Sequence, residues 1–329
     1  MANPENLVEI WRGDLLESIH AGHAVVCGPD GDIRESWGDP TAIIYPRSSC
    51  KMIQALPWAE SGAAAGYSET HLAFACASHN GAAIHADLAT RWLADLGLSD
   101  KDLRCGPQWP ADLPERNTLI KSDSSPCQVH NNCSGKHCGF LAYSQYLGAG
   151  PEYVEVDHPV QVAAKIAFEE VTGETSPTFG IDGCSAPNHA CSVHGLARAM
   201  AFYASAHTRT DARSTAASSL AQAMMAHPEY VAGETRACTE LMRAMDHRVA
   251  IKTGAEGVFV AIIPEQQIGI ALKIADGATR ASEAALTALL VRYGVLDGNH
   301  PAARERMFGP ITNRRDLVVG EIHTTPLSR

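Results

Sequence analysis

No apolar run in this chain is long enough to cross a membrane, and the opening residues Met1-Ala2-Asn3-Pro4-Glu5-Asn6 carry neither the basic nor the apolar region of a secretory leader. The expectation is a cytoplasmic protein that does not act at a membrane. Positive charge is also scarce: 26 Lys and Arg stand against 37 Asp and Glu, a formal net charge of -11. That balance argues against nucleic acid and anionic lipid as main partners. It also makes basic side chains gathered in one pocket a local exception, suited to a carboxylate. Repeats, charge blocks and low-complexity stretches are absent. The mildest break in composition, Gly106 to Asp123, is rich in Pro and charge and reads as a surface excursion rather than a linker. Cysteine is not scarce. Ten thiols in 329 residues fit a reducing compartment better than a secreted scaffold, as buried thiols with a few left for metal.

An apolar content of 45% supplies a substantial core for one large domain or two. Periodicity predicts helices over Gly81 to Leu96, Gly139 to Leu147, Pro159 to Thr172, His194 to His207, Ser214 to Met225, Glu234 to Met245 and Ala278 to Tyr293. Strands are expected near the ends: Leu7 to Arg12, Ser18 to Val26 and Ile33 to Trp37 in front, and a ladder from Val249 to Ile274 behind. Both termini therefore feed one antiparallel sheet, from about residues 1–45 and 247–329, with a helical and loop section over about 46–246. This is an α+β architecture, expected to act as a single catalytic unit over 1–329.

The strings Ser48-Ser49-Cys50-Lys51, Ser78-His79-Asn80 and Lys252-Thr253-Gly254 stand in the order of the S-x-x-K, S-x-N and K-T-G elements of serine hydrolases whose base is lysine. Residues three apart share a helix face, so a helix from Cys50 to Glu60, entered from the Ile43-Ile44-Tyr45 strand through Pro46, would bring the Ser48 hydroxyl towards the Lys51 amine. A helix start also offers free N–H groups to a developing oxyanion. A lysine at its ordinary pKa of ~10.4 is a poor base, so burial or a second cation is needed, and Lys252 is the evident one. An isolated S-x-x-K is more often an N-cap followed by a solvated lysine. The weight therefore lies in the trio. Ser78 lies in a small-residue turn, and Gly254 and Gly257 beside Lys252 permit close backbone approach.

Two glycine-rich polar strings follow, Asn131-Asn132-Cys133-Ser134-Gly135-Lys136-His137-Cys138-Gly139 and Gly180-Ile181-Asp182-Gly183-Cys184-Ser185-Ala186-Pro187-Asn188-His189. Read as loops, their thiols, imidazoles, carboxylate and amine could bind a transition metal such as zinc. They could equally hold a small polar substrate, with Asp182 on an ammonium and His137 on a carboxylate or amide, or serve as packing thiols and loop-capping histidines.

The strings Pro46-Arg47-Ser48-Ser49-Cys50-Lys51, Cys133-Ser134-Gly135-Lys136-His137-Cys138-Gly139, Gly180-Ile181-Asp182-Gly183-Cys184 and Lys252-Thr253-Gly254-Ala255-Glu256-Gly257 closely resemble the rhizobial-type (class 3) L-asparaginases, the asparaginase II family. The resemblance runs over essentially the whole chain, and the end at Arg329 leads to the expectation that a C-terminal extension carried by some relatives is missing. It implies a fold like that of serine β-lactamases and penicillin-binding proteins, hydrolysis of L-asparagine to L-aspartate and ammonia, and a homodimer. It implies Ser48 as nucleophile with Lys51, and Ser78 with Lys252 as a second Ser-Lys pair. Arg47, Asn80, His137 and Asp182 are then candidates for substrate binding. Zinc would be bound by Cys133, Lys136 and Cys184 as an organiser of the site, not the source of the nucleophile. A glutaminase would need only one methylene more of pocket depth. A penicillin-interacting enzyme would share the three elements but act on substrates outside the cytoplasm. A zinc or redox sensor would use the thiols and leave the Ser-Lys strings without a role.

Overall fold

The computed structural model describes residues 3–324 and 327. They form two compact units, one from residues 3–49, 191–205 and 240–324 with 327, the other from Cys50–Ala190 and Ala206–Thr239.

The first unit is built on an antiparallel sheet from both chain ends, with strand order Pro310–Thr312, Val318–His323, Glu5–Arg12, Leu15–Cys27, Ile268–Ile274, Val258–Ile263, Ala250–Thr253. Ile33–Trp37 also pairs with Leu15–Cys27. The expected α+β architecture is therefore present. Val258–Ile263 is buried at every position, the mark of a strand covered on both faces. The helix Val193–Ser205 packs on Ile268–Ile274 and Leu15–Cys27, and Thr279–Arg292 packs on Val258–Ile263. The first of these helices lies inside the expected helical section, yet it belongs to the sheet unit because its apolar face has a sheet to cover. Gly269 makes that contact possible: a Cβ there would stand 2.0 Å from the Ala201 nitrogen.

The second unit is arranged around the helix Lys51–Glu60, buried from Lys51 to Trp58 except at Gln54. It packs against the helices Ser134–Tyr146, Pro159–Thr172 and Ala212–Ala226. The indole of Trp58 lies 5.6 Å from that of Trp92 and 5.2 Å from Tyr67.

Two features depart from the sequence reading. The helix expected from Gly139 begins at Ser134, so most of the first polar string is helical rather than looped. Its glycines act as spacers: a Cβ on Gly135 would meet the Phe74 carbonyl oxygen at 2.2 Å. The surface excursion contains a helix, Leu113–Lys121, started by Asp112, whose carboxylate accepts from Glu115 N at 2.9 Å, and by Pro114 in its first turn. None of its residues is buried, so it carries no apolar period to read. No helix among the described residues is long and apolar enough to cross a membrane.

Gly269→Ala should force strand and helix apart and destabilise the protein by about 1–3 kcal/mol. A urea midpoint equal to that of the parent would show that the helix can move at no cost.

Candidate active site

In the sheet unit, Arg47–Cys50 forms a single 3-10 turn. It is closed by Ser49, whose N–H and hydroxyl both donate to the Pro46 carbonyl, at 3.2 and 2.7 Å. Arg47 enters the turn with φ 54°, a left-handed conformation that a residue with a Cβ adopts at a cost. Ser48 is half-buried on this turn. The Lys252-Thr253-Gly254 strand end lies directly against it, since a Cβ on Gly254 would stand 2.6 Å from the Pro46 oxygen and 3.2 Å from the Ser49 nitrogen. The close approach foreseen at Gly254 is thus to the backbone that carries Ser48. Lys252, paired across the ladder with Val260, is 1% exposed and donates to the Thr253 carbonyl at 2.8 Å. Arg47 Nη1 stands 4.0 Å from Glu256 Oε1.

In the helical unit, Lys51 heads the central helix immediately after the Ser48 turn. It is 1% exposed, and its Nζ donates to the Ala77 carbonyl and to Cys133 Sγ, the latter at 3.0 Å. Ser78 follows Ala77 and is held by its N–H to Val231 O at 2.8 Å. Its hydroxyl is buried without a hydrogen-bond partner among the described residues, an uncommon condition for a buried polar atom. Asn80 anchors the excursion, its carbonyl accepting from Ala111 N and Asp112 N at 2.8 and 2.9 Å. Its side chain lies flat on Gly233, where a Cβ would meet Oδ1 at 2.2 Å.

The second polar string is a hairpin in which Phe179–Ile181 pairs with Pro187–His189. Asp182 caps its bend, accepting from Gly183 N at 2.8 Å and from Asn188 Nδ2 at 3.3 Å. The hairpin delivers Cys184 to Lys136, with Nζ and Sγ 3.0 Å apart. A hydrogen bond from Cys133 holds the Cys184 pKa well below that of an ordinary thiol, against burial and with help from Lys136 and His137. The same bond, with burial, drives Cys133 upwards. Burial opposes the Lys136 ammonium, but the charge of Cys184 and then of Cys133 outweighs it and raises its pKa. His137 Nδ1 is hydrogen-bonded to the Tyr153 hydroxyl at 2.8 Å, whose oxygen also accepts from Arg104 N. The buried His137 side chain also hydrogen-bonds Cys184. Burial pushes this imidazole down to about 4, so it is neutral.

A family model for L-asparaginase II matches residues 8–324. The chain belongs to the L-asparaginase II family. The search of curated proteins gave no match. Solved structures similar to this L-asparaginase II chain include the native form of a protein named Mglu (14% identity, TM-score 0.47), with 84% of this chain and 66% of Mglu covered. This chain thus spans just under two thirds of Mglu. Others are a β-lactamase, Mb2281c from Mycobacterium bovis (13%, TM-score 0.39, 83% and 94% covered), and an octameric penicillin-binding protein homologue from Pyrococcus abyssi (13%, TM-score 0.41, 87% and 77% covered).

Among the described residues of this family member, no group of three or more His, Cys, Asp or Glu is placed to hold a metal ion. The donor set implied by the resemblance is two thiols and a lysine amine, which such a count does not reach. These three converge, and as soft and borderline donors they suit zinc.

Reading by motif passed over the histidines behind this L-asparaginase II site. His79 Nδ1 accepts from Gly81 N at 3.1 Å, so its Nε2–H donates to Ser134 Oγ at 3.0 Å, tying the Ser78 turn to the helix that carries Lys136 and His137. His85 stacks on it at 4.4 Å and 10° and donates to the Glu229 carbonyl at 2.9 Å. The only signal in sequence was the i, i+6 pair of histidines flanking a glycine turn, which no spacing rule covers. Burial pushes His85 down to about 4, and burial together with His85 holds His79 well below its ordinary value.

Both imidazoles fold neutral, whereas in the unfolded chain they protonate near pH 6.5. Their contribution is complete above that pH and is lost as pH falls towards about 4. For His85 the loss should be on the order of 3 kcal/mol. Urea unfolding at pH 7.5 and 4.5 should show the fall in the parent and a smaller one in His85→Phe. Equal falls in the two proteins would exclude His85 as a source.

Proposed function

We propose that this protein hydrolyses L-asparagine to L-aspartate and ammonia by a Ser-Lys acyl-enzyme route. The observation that carries this reading is the Lys51 amine, buried at the head of a central helix one turn beyond Ser48 and held by a carbonyl and a sulfur instead of by solvent. Lys51 takes the Ser48 proton as the oxygen attacks the side-chain amide carbon. The backbone N–H groups at the start of the helix are suited to the oxyanion. Amide nitrogen leaves only once protonated, so the proton returns to it and ammonia departs, leaving a β-aspartyl ester on Ser48. Water, deprotonated in turn by the same amine, cleaves the ester to L-aspartate.

Ser78 and Lys252 are proposed as the second Ser-Lys pair, and the orphaned Ser78 hydroxyl supports a role beyond packing. For the substrate, Arg47 is suited to the α-carboxylate, Asp182 to the α-ammonium, and Asn80 and neutral His137 to the amide. Cys133, Lys136 and Cys184 would hold zinc, whose positive charge would organise the polar groups around the substrate. A reducing cytoplasm is the proposed compartment, since ten cysteines at this length suit buried thiols better than a secreted scaffold. The working form is proposed to be a homodimer.

Ser48→Ala should abolish ammonia release from asparagine, a loss of at least about 10³-fold, with an unchanged unfolding midpoint. Near-parental turnover would remove Ser48 from the role of nucleophile. Assaying glutamine beside asparagine reads the selectivity that one methylene decides. Elemental analysis of the purified protein should find zinc in the parent and little in Cys133→Ala. Equal zinc in both would take Cys133 out of the ligand set.

A further inference from the structure

The hairpin bend after Lys252 holds a carboxylate opposite Arg47. Glu256 and Gly257 both have positive φ, 58° and 68°, and the bend is closed by Gly254 N donating to Val258 O at 2.7 Å. Lys273 Nζ fastens it from below by donating to the Glu256 carbonyl at 2.6 Å. Gly277 leaves room for the side chain, since a Cβ there would stand 2.9 Å from Glu256 Oε2. The outcome is Oε1 at 4.0 Å from Arg47 Nη1, with Glu256 68% exposed and Arg47 27% exposed. Two residues with side chains are thus held in left-handed backbone, one on each side of a single ion pair, and such conformations persist where the surroundings impose them.

An ion pair at this distance, with its carboxylate largely exposed, is weak. A bidentate carboxylate on the same guanidinium is stronger, so a substrate carboxylate can compete for Arg47. Glu256 stays tethered beside the site when that happens. Resting on the reading of Arg47 as the group that takes the α-carboxylate, we propose that Glu256 is a specificity-determining residue that discriminates against the product. Asparagine is a zwitterion with a neutral side-chain amide. Aspartate carries an additional negative charge where the amide was. A fixed carboxylate at the rim therefore repels aspartate more than asparagine, favouring product release and keeping free aspartate from occupying the site. Sequence alone could not assign this, because Glu256 in the string Lys252-Thr253-Gly254-Ala255-Glu256-Gly257 looks like an ordinary polar turn residue.

The test is calorimetric titration of L-aspartate into the full-length protein, its Glu256→Gln and Glu256→Asp variants and Arg47→Met, alongside the KM for asparagine from ammonia release. Glu256→Gln should bind aspartate roughly 3- to 10-fold more tightly, with a smaller change in the KM for asparagine, and Glu256→Asp should restore the weaker binding. Unchanged aspartate affinity in Glu256→Gln, or equal shifts in the Gln and Asp variants, would overturn the proposal. An equal gain for substrate and product would do the same, since it would reveal a general gate and no discrimination. If Arg47→Met binds aspartate as the parent does, the reading of Arg47 fails. Ammonia release by the parent reports separately on the asparaginase assignment.

Discussion

Burying a lysine is costly unless its head group finds acceptors, and three lysines here are almost wholly withdrawn from water: Lys51, Lys136 and Lys252. Each solves the problem with a nearby backbone carbonyl or a sulfur. Lys51 uses Ala77 O and Cys133 Sγ, Lys136 uses Cys184 Sγ, and Lys252 uses Thr253 O. Much of the local architecture follows from these needs. The Ser78 turn must run beside Lys51 to offer the Ala77 carbonyl. The Asp182 hairpin must bring Cys184 to the helix that carries Lys136. That helix must approach Phe74 closely, which is why its first turn contains Gly135.

In the proposed reaction the carbonyl and sulfur contacts orient the Lys51 amine for proton transfer. The neighbouring histidines are kept out of this chemistry by their burial. His79 and His85 lie at the back of the Ser78 turn as neutral, stacked rings that exchange hydrogen bonds with backbone and Ser134. The sulfur pair is different. Its charge is divided unequally between Cys184 and Cys133, which gives the cluster one thiolate next to one ammonium. The proposed zinc would have to displace the Lys136 proton and the remaining thiol proton, so its binding would weaken as pH falls.

The sheet unit makes a separate contribution, which is rigidity. Gly254 sits against the Pro46–Ser49 turn and Gly269 against the Val193–Ser205 helix, so the strand end with Lys252 and the turn with Ser48 have little freedom to slide. Arg47 is held in left-handed backbone on one side, Glu256 on the other. The ion pair between them belongs to the rim of this rigid piece.

By itself the sequence determined the alternation of sheet ends and helical middle, because strand and helix periods are local and the long apolar ladder Val258 to Ile274 can be read without partners. It also located the start of the helix that Lys51 heads, since the run from Cys50 to Glu60 is made mostly of good helix formers. It did not reveal that Cys133 to Gly139 enters a helix, because two glycines look like breakers until Phe74 is known to press on Gly135. Nor did it show the His79–His85 stack or the Arg47–Glu256 pair, which join residues through space across turns of unusual backbone. Those were decided by tertiary packing, where burial and close backbone contact, not periodicity, choose which side chains meet.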